Sequence, residues 1–138
     1  MRPELDNKLF EKYPILYQSK DKPPTESLMC FGFECLSGWY KIIDELSQKI
    51  EEHNKNAEHP TIAIQVKEKY GSLRFYVTSA TDYIYDLIDK AEEKSYEVCE
   101  NCGSEEDVKT EGSGWITTLC KECKELPSEE IRKREFSL

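Results

Sequence analysis

Long apolar runs, an export signal and positive charge are what this sequence has least of, and each absence narrows its reading. No stretch stays apolar over the roughly 20 residues that a membrane-spanning helix needs, so no membrane association is expected. The opening residues, MRPELDNKLFEKYP, carry acids and no apolar segment, which is not a signal-peptide pattern, and a cytoplasmic location is the expectation. No internal repeat or low-complexity tract points to a solenoid. There is no Ser/His/Asp signature, phosphate loop or nucleotide-binding glycine pattern, so no residue set argues for an enzyme. Lys and Arg number 19 against 28 Asp and Glu, a net charge of −9, and attraction of the whole chain to DNA or RNA is not expected.

What is present begins with cysteine. In 138 residues there are six, four of them in two Cys-x-x-Cys pairs, Cys99/Cys102 and Cys120/Cys123, separated by seventeen residues. Each pair can bend into a tight knuckle that aims both sulfurs at one point, and Zn2+ accepts four thiolates in a tetrahedron. Between the pairs, Val108 to Thr110 and Trp115 to Leu119 read as two short strands around the turn Glu111–Gly114. The expectation is a C-terminal zinc ribbon over 99–124 with one structural Zn2+. The ribbon is itself acidic: Glu100, Glu105, Glu106, Asp107, Glu111 and Glu122 face only Lys109 and Lys121. A protein partner therefore suits it better than phosphate.

The remaining chain, with 38% hydrophobic and 34% charged residues, supports a modest core under a charged surface. Residues 1–27 read as a short helix over 3–13, stopped by Pro14, then a brief extended Ile15–Tyr17 and a polar loop, 18–27, with little reason to be ordered. An α+β core is expected over 28–98. Leu28 to Phe33 reads as a buried strand, and Ser37 as the N-cap of a helix that buries Trp39, Ile42, Ile43, Leu46 and Ile50. The period then switches to two. Ile62, Ile64 and Val66, with Leu73, Phe75 and Val77, predict a hairpin turning at Tyr70-Gly71. A two-residue turn pairs Lys69 with Ser72, Val66 with Phe75 and Ile64 with Val77, while a longer loop that shifts the register by two keeps the same faces and leaves that detail open. A second helix from Thr81 or Asp82 to Val98 presents Ile84, Leu87, Ile88, Ala91 and Ser95. The fold class expected is α+β: a small antiparallel hairpin or sheet covered by two helices, with the ribbon joined rigidly to the second. A helical tail over 125–138, from Glu129 to Phe136, carries Arg132, Lys133 and Arg134 on a solvated face.

Two further constellations stand out. Cys30, Cys35, His53 and His59 contain every remaining cysteine and both histidines, which makes a second metal site conceivable. Their spacing is looser than a knuckle, and the thiols are expected to pack as small hydrophobes. The other is the hairpin's second face, where Lys67 stands opposite Arg74 and Gln65 opposite Tyr76, with Lys69 nearer the turn. Neither helix has a second apolar stripe to cover this face, so exposure is expected. It is suited to a carboxylate, a phosphate or an acidic partner, unless Glu34 or Glu68 neutralises it from within.

Met29 to Cys35, Gly38-Trp39-Tyr40, Gln65 to Tyr76, Cys99 to Gly103 and Gly114 to Cys120 together resemble a family of small uncharacterised zinc-ribbon proteins encoded by phages, prophages and bacterial chromosomes. The resemblance covers about residues 28–123. The chain departs from the family at Cys123, where histidine is frequent, at Leu36-Ser37 in place of Gly-Asp, and at Gly71-Ser72 in place of Gly-Gly. Lys67, Lys69 and Arg74 match its motif. The resemblance implies a phage or mobile-element origin and a zinc-stabilised binding protein that engages a bacterial host or defence protein. The alternative is a binder of an anionic small molecule, such as a nucleotide, or of a nucleic-acid end, through the basic hairpin face.

Overall fold

Alternating side chains and one tight turn form the centre of the molecule. In the computed structural model, which describes residues 1–131, strands β2 (Ala63–Lys69) and β3 (Ser72–Val77) pair antiparallel around Tyr70-Gly71. Lys69 faces Ser72, Lys67 faces Arg74, Val66 faces Phe75 and Gln65 faces Tyr76. Both turn residues have positive φ, 54° and 83°, the two-residue geometry that matches strand twist. Tyr70 takes this conformation without being glycine, and the Glu68 carboxylate fastens the turn by accepting the Gly71 N–H at 2.7 Å. The Ile64–Val77 pairing expected from strict alternation does not form. A register shift between Ala63 and Gln65 sets Ala63 opposite Val77, as a bulge does when one extra residue enters a strand.

Leu28 to Phe33 is the main departure. Met29–Phe31 is a 3-10 turn with Phe31 60% exposed, and only β1 (Phe33–Glu34) is extended. β1 pairs parallel with β2, so the sheet is mixed, in the order β1-β2-β3. The rest of that edge of β2 is taken by other segments: the Ala63 N–H bonds to the Leu16 carbonyl, and the Ile64 carbonyl accepts from Leu28. A short apolar run does not by itself distinguish a strand from a turn buried on one side.

Helix α1 (Pro3–Lys12) lays Leu9 into the same core, and the turns after it bury Tyr13, Leu16 and Tyr17. Tyr17, Phe10 and Phe33 form a ring cluster with centroids 5.1 to 5.7 Å apart. Residues 15–17 are turns rather than extended chain, fixed by the buried Glu51 carboxylate, which accepts the N–H groups of Ile15 and Leu16. The polar loop 18–27 is likewise folded into turns closed by Lys22 to Ser19 and Glu26 to Pro23 bonds, with Ser19 and Ser27 buried.

Helix α2 (Tyr40–Asn54) buries Ile42, Ile43, Leu46 and Ile50 as its period requires, entered through a 3-10 turn, Ser37–Trp39. The Ser37 hydroxyl does not cap it but accepts from the Arg2 N–H at 3.0 Å. Helix α3 (Asp82–Ser95) is capped by Thr81 and stops at Ser95, three residues before Val98. It also closes the outer edge of the sheet. The Ser95 hydroxyl accepts the Leu73 N–H and the Glu92 carboxylate accepts that of Phe75, at 3.0 and 2.9 Å, which removes two donors from an open edge.

Strands β4 (Val108–Glu111) and β5 (Thr117–Cys120) make a second, two-stranded sheet, followed by the single turn α4 (Lys121–Lys124). The helix expected from Glu129 to Phe136, with Arg132, Lys133 and Arg134, extends outside the described residues. No described helix is long and apolar enough to cross a membrane.

Candidate metal centre and basic sheet face

The four C-terminal cysteines converge because two local bends face each other across a short sheet. In the first, Gly103 N–H bonds back to the Cys99 carbonyl at 2.9 Å, and Cys99 N–H bonds to Ser104 at 2.8 Å. In the second, Cys120 ends β5 and caps α4, which carries Cys123 three residues on. All four Sγ atoms lie within 4.8 Å of one another, and those of Cys102 and Cys120 are 3.7 Å apart. A disulfide needs about 2.05 Å. Four thiolates at about 2.3 Å from one tetrahedral ion stand about 3.8 Å apart, so the spacing fits a metal and not a bridge. Cys99, Cys120 and Cys123 are buried, and Cys102 is exposed.

Burial pushes the Cys123 thiol up to about 12 and raises Cys102 as well. Burial acts in the same direction on Cys120, but the Cys123 N–H and neighbouring thiols outweigh it and lower that thiol. A cation taken here displaces protons, so its affinity falls as pH falls.

The cysteine hairpin is set directly against the sheet and α2. Gly38 N–H donates to the Glu100 carbonyl at 2.7 Å, and Leu36 N–H donates to the Glu100 carboxylate at 2.9 Å. The buried Trp39 indole donates to the Val98 carbonyl at 2.9 Å. A Cβ on Gly38 would stand 2.2 Å from the Cys99 carbonyl oxygen, so no larger residue fits this approach. On the other side the Thr118 hydroxyl donates to the Gly71 carbonyl, tying β5 to the β2–β3 turn.

The chain thus carries four cysteines positioned to hold a metal ion on a hairpin fastened to an α+β body. Comparison with protein-family models, with curated proteins and with solved structures found no match to the chain.

Gln65, Lys67, Arg74 and Tyr76 share one face of the sheet, and the cross-strand order in their row is Glu34, Lys67, Arg74. The expectation of full exposure needs correction. Tyr76 and Lys69 are exposed, but Gln65, Lys67 and Arg74 are half-buried. The loop 24–28 approaches this face and lines an open hollow of about 290 Å3 with Ile64, Gln65, Lys67, Tyr76 and Val77. The Gln65 amide donates to Glu34 at 3.3 Å. Lys67 and Arg74 make no ion pair among the described residues, and the Arg74 Nε is buried with no hydrogen-bond partner there.

Cys30, Cys35, His53 and His59 are not brought together as a metal-binding group among the described residues. Cys30 is exposed, Cys35 is in the core, and the His53 ring lies 5.5 Å from that of Tyr83.

Two surface features escaped the sequence. Trp115, expected in a strand, lies in the β4–β5 connection and is 78% exposed, and Tyr70 at the adjoining turn is 67% exposed. Placing Trp115 required the strand boundary, which alternation does not define over four residues. Between α2 and α3 runs a groove of about 600 Å3 with Lys41, Lys49, Lys90 and Lys94 along its rim. Helical spacing of Lys41, Glu45 and Lys49 was the available signal. Lys90 and Lys94 are held by Asp86, Glu97 and Glu105, so much of this charge is spent locally.

Proposed function

We propose that the C-terminal hairpin is a zinc ribbon with one structural Zn2+ on Cys99, Cys102, Cys120 and Cys123, and that the protein is a zinc-stabilised binding module. An all-sulfur, four-ligand, mostly buried donor set selects zinc over harder cations and leaves no open position for catalysis. When bound, the ion offsets the thiolate charge and pins the two knuckles. The chain's own residues carry the rest. Glu100 and Gly38 hold the ribbon on the corner before α2, and Thr118 holds the turn beyond Lys69.

The observation that carries the binding role is the facing pair Lys67 and Arg74, two cations side by side on a sheet face; Glu34 stands opposite Lys67 in the register and Arg74 acts on Glu92, but neither cation closes an ion pair among the described residues. Like charges directly opposite cost stability unless an anion joins them. In a chain of net charge −9 this is a local reversal of sign, fitted to an acidic surface of a protein partner. Exposed Tyr70 and Trp115 supply the aromatic contacts that protein interfaces favour. The resemblance to phage and prophage proteins supports a mobile-element origin, with a bacterial host or defence protein as the partner and the bacterial cytoplasm as the place. The hollow beside Lys67 and Tyr76 favours a second reading, an anionic small molecule such as a nucleotide, or a nucleic-acid end.

Elemental analysis tests the metal: one zinc per chain is expected, and none overturns the ribbon. For the face, Lys67→Ala with Arg74→Ala is compared with the parent in pull-downs from bacterial lysate at low and high salt. The double variant is expected to fold, with a modest stability loss because both side chains are half-buried, and to lose the salt-sensitive partner. Copurifying ultraviolet-absorbing ligand in place of a protein supports the second reading. A double variant that unfolds makes the two cations scaffold, and one that keeps every interaction places the site elsewhere.

A further inference from the structure

The two residues inside the first Cys-x-x-Cys pair face opposite ways. Glu100, itself buried, turns to the body and joins the ribbon to Leu36 and Gly38. Asn101 turns inward: it is buried, and its side-chain amide Nδ2 donates to the Sγ of Cys123, 22 residues away, at 3.2 Å. The bond runs from the first knuckle to the last sulfur of the second. Among the described residues no other side-chain amide or hydroxyl reaches any of the four sulfurs.

We infer that Asn101 is a positioning residue for the metal centre, holding Cys123 in place and lowering its reactivity through an N–H···S bond. This rests on the zinc-ribbon assignment above and adds to it. A buried primary amide is neutral and rigid, and it presents two N–H groups to an acceptor. An amide N–H aimed at Sγ fixes the direction in which that sulfur points, as partners outside a ligand shell do. The bond also draws electron density from the sulfur. A metal-bound thiolate so treated attacks electrophiles more slowly and releases its ion more slowly. Partners outside the ligand shell commonly change metal affinity 10–100-fold when removed.

The pattern also sets an order among the ligands. Cys102 is exposed and takes no such side-chain donor, whereas Cys123 is buried and held by Asn101. Attack by an electrophile therefore begins at Cys102, and Asn101 delays the loss of the second knuckle that would follow.

The test uses the full chain. Asn101→Leu keeps the reach and approximate volume of the side chain and removes the N–H, while Asn101→Ala removes both. Three readouts are taken: zinc affinity by competition with a chromophoric chelator, the sulfur-to-metal charge-transfer band of the Co2+-loaded protein, and the rate of zinc release under an excess of an aromatic disulfide. Both variants are expected to bind zinc about ten-fold or more weakly, to shift the band to lower energy and to release zinc several-fold faster. If Leu at this position behaves as the parent while Ala does not, the role is packing and the inference is overturned. A measurement on the unmodified chain does not depend on any variant folding. Loaded with a spin-half isotope of cadmium, the protein is expected to show scalar coupling between the metal and an Asn101 side-chain N–H, and its absence overturns the bond. Failure of the parent to take up one equivalent of any of these ions defeats the ribbon assignment instead, so the two failures are distinct.

Discussion

The sheet-and-helix body and the cysteine hairpin reach order by different routes. The body encloses a continuous apolar cluster that runs from Leu9 and Tyr17 through Trp39, Ile43 and Leu73 to Ile88. The hairpin's own cluster is Leu119 with three cysteines, flanked by Val108, Leu126 and Ile131. One buried leucine contributes about 2 kcal/mol. Ordering the backbone costs about 1–2 kcal/mol per residue, so a segment with one such side chain needs another source of stability. Besides the hairpin's hydrogen bonds to the body, the four clustered thiols are the concentrated source among the described residues, and on the zinc proposal the two regions differ in where they are vulnerable: the body to loss of packing, the hairpin to loss of a metal.

The largest effect expected is metal removal. Zinc in small fingers supplies roughly 10–16 kcal/mol of apparent binding free energy. Chelation, or Cys123→Ser, is expected to strip hydrogen-exchange protection from residues 99–123 while α2 and α3 keep theirs. Simultaneous loss throughout would show that the two regions are a single cooperative unit and end the contrast. As a control, Cys30→Ser with Cys35→Ser is expected to leave the metal stoichiometry at one, and a drop from two to one would reveal a second site.

Next comes the seam. Gly38→Ala drives a methyl group against the carbonyls of Cys99 and Glu100, backbone atoms that cannot swing aside as a side chain can. Overpacking of this kind costs about 1–3 kcal/mol. Urea unfolding is expected to show that loss, together with faster exchange at both Leu36–Trp39 and Cys99–Cys102. A variant as stable as the parent would mean that the ribbon can move off the body at no cost.

The smallest effect sharpens the body's side of the comparison through two carboxylates of opposite behaviour. Burial raises Glu92 above the ordinary carboxylate range, although the Phe75 N–H and Arg74 oppose it. Asp44 is also raised by burial, but hydrogen bonds from Lys12 and Tyr13 outweigh that and hold it below its usual value. A raised folded-state pKa gives stability that is present at low pH and lost as pH rises through that value. A lowered one gives stability present above the ordinary range and lost as pH falls through the folded value. Glu92→Gln keeps an acceptor for Phe75, so urea midpoints measured against pH are expected to lose the fall that Glu92 imposes from the ordinary carboxylate range upward. Asp44→Asn is expected to remove the loss at acid pH. An unchanged profile in both would show that these groups titrate alike in the folded and unfolded chain.

Much of the body was legible because its signals are periodic. The inner faces of α2 and α3 follow from 3.6-residue spacing, and the β2–β3 register follows from alternation plus a two-residue turn. Where the period lapses, so did the expectation. Leu28 to Phe33 is too short to separate strand from turn, and the bulge at Ala63/Gln65 inserts a residue that alternation cannot foresee. The clustering of the four sulfurs was legible for the same local reason, since a Cys-x-x-Cys knuckle carries its geometry within four residues.

By itself, then, the order of residues determined the identity of the four sulfurs, the pairing of Lys67 with Arg74 and the buried stripes of the helices. In each case the determining interaction is a short bend, a strand pair joined by its turn, or the pitch of one helix. Tertiary structure alone decided that the loop 24–28 half-covers the basic face, that the Arg74 Nε is enclosed with no partner among the described residues, that Gly38 lies against Cys99 and that Asn101 reaches Cys123. Those contacts join residues 22 to more than 60 positions apart, or depend on which segment occupies a shared face. No local period encodes such a choice, because it is settled by which of several compatible surfaces meet once the core has closed.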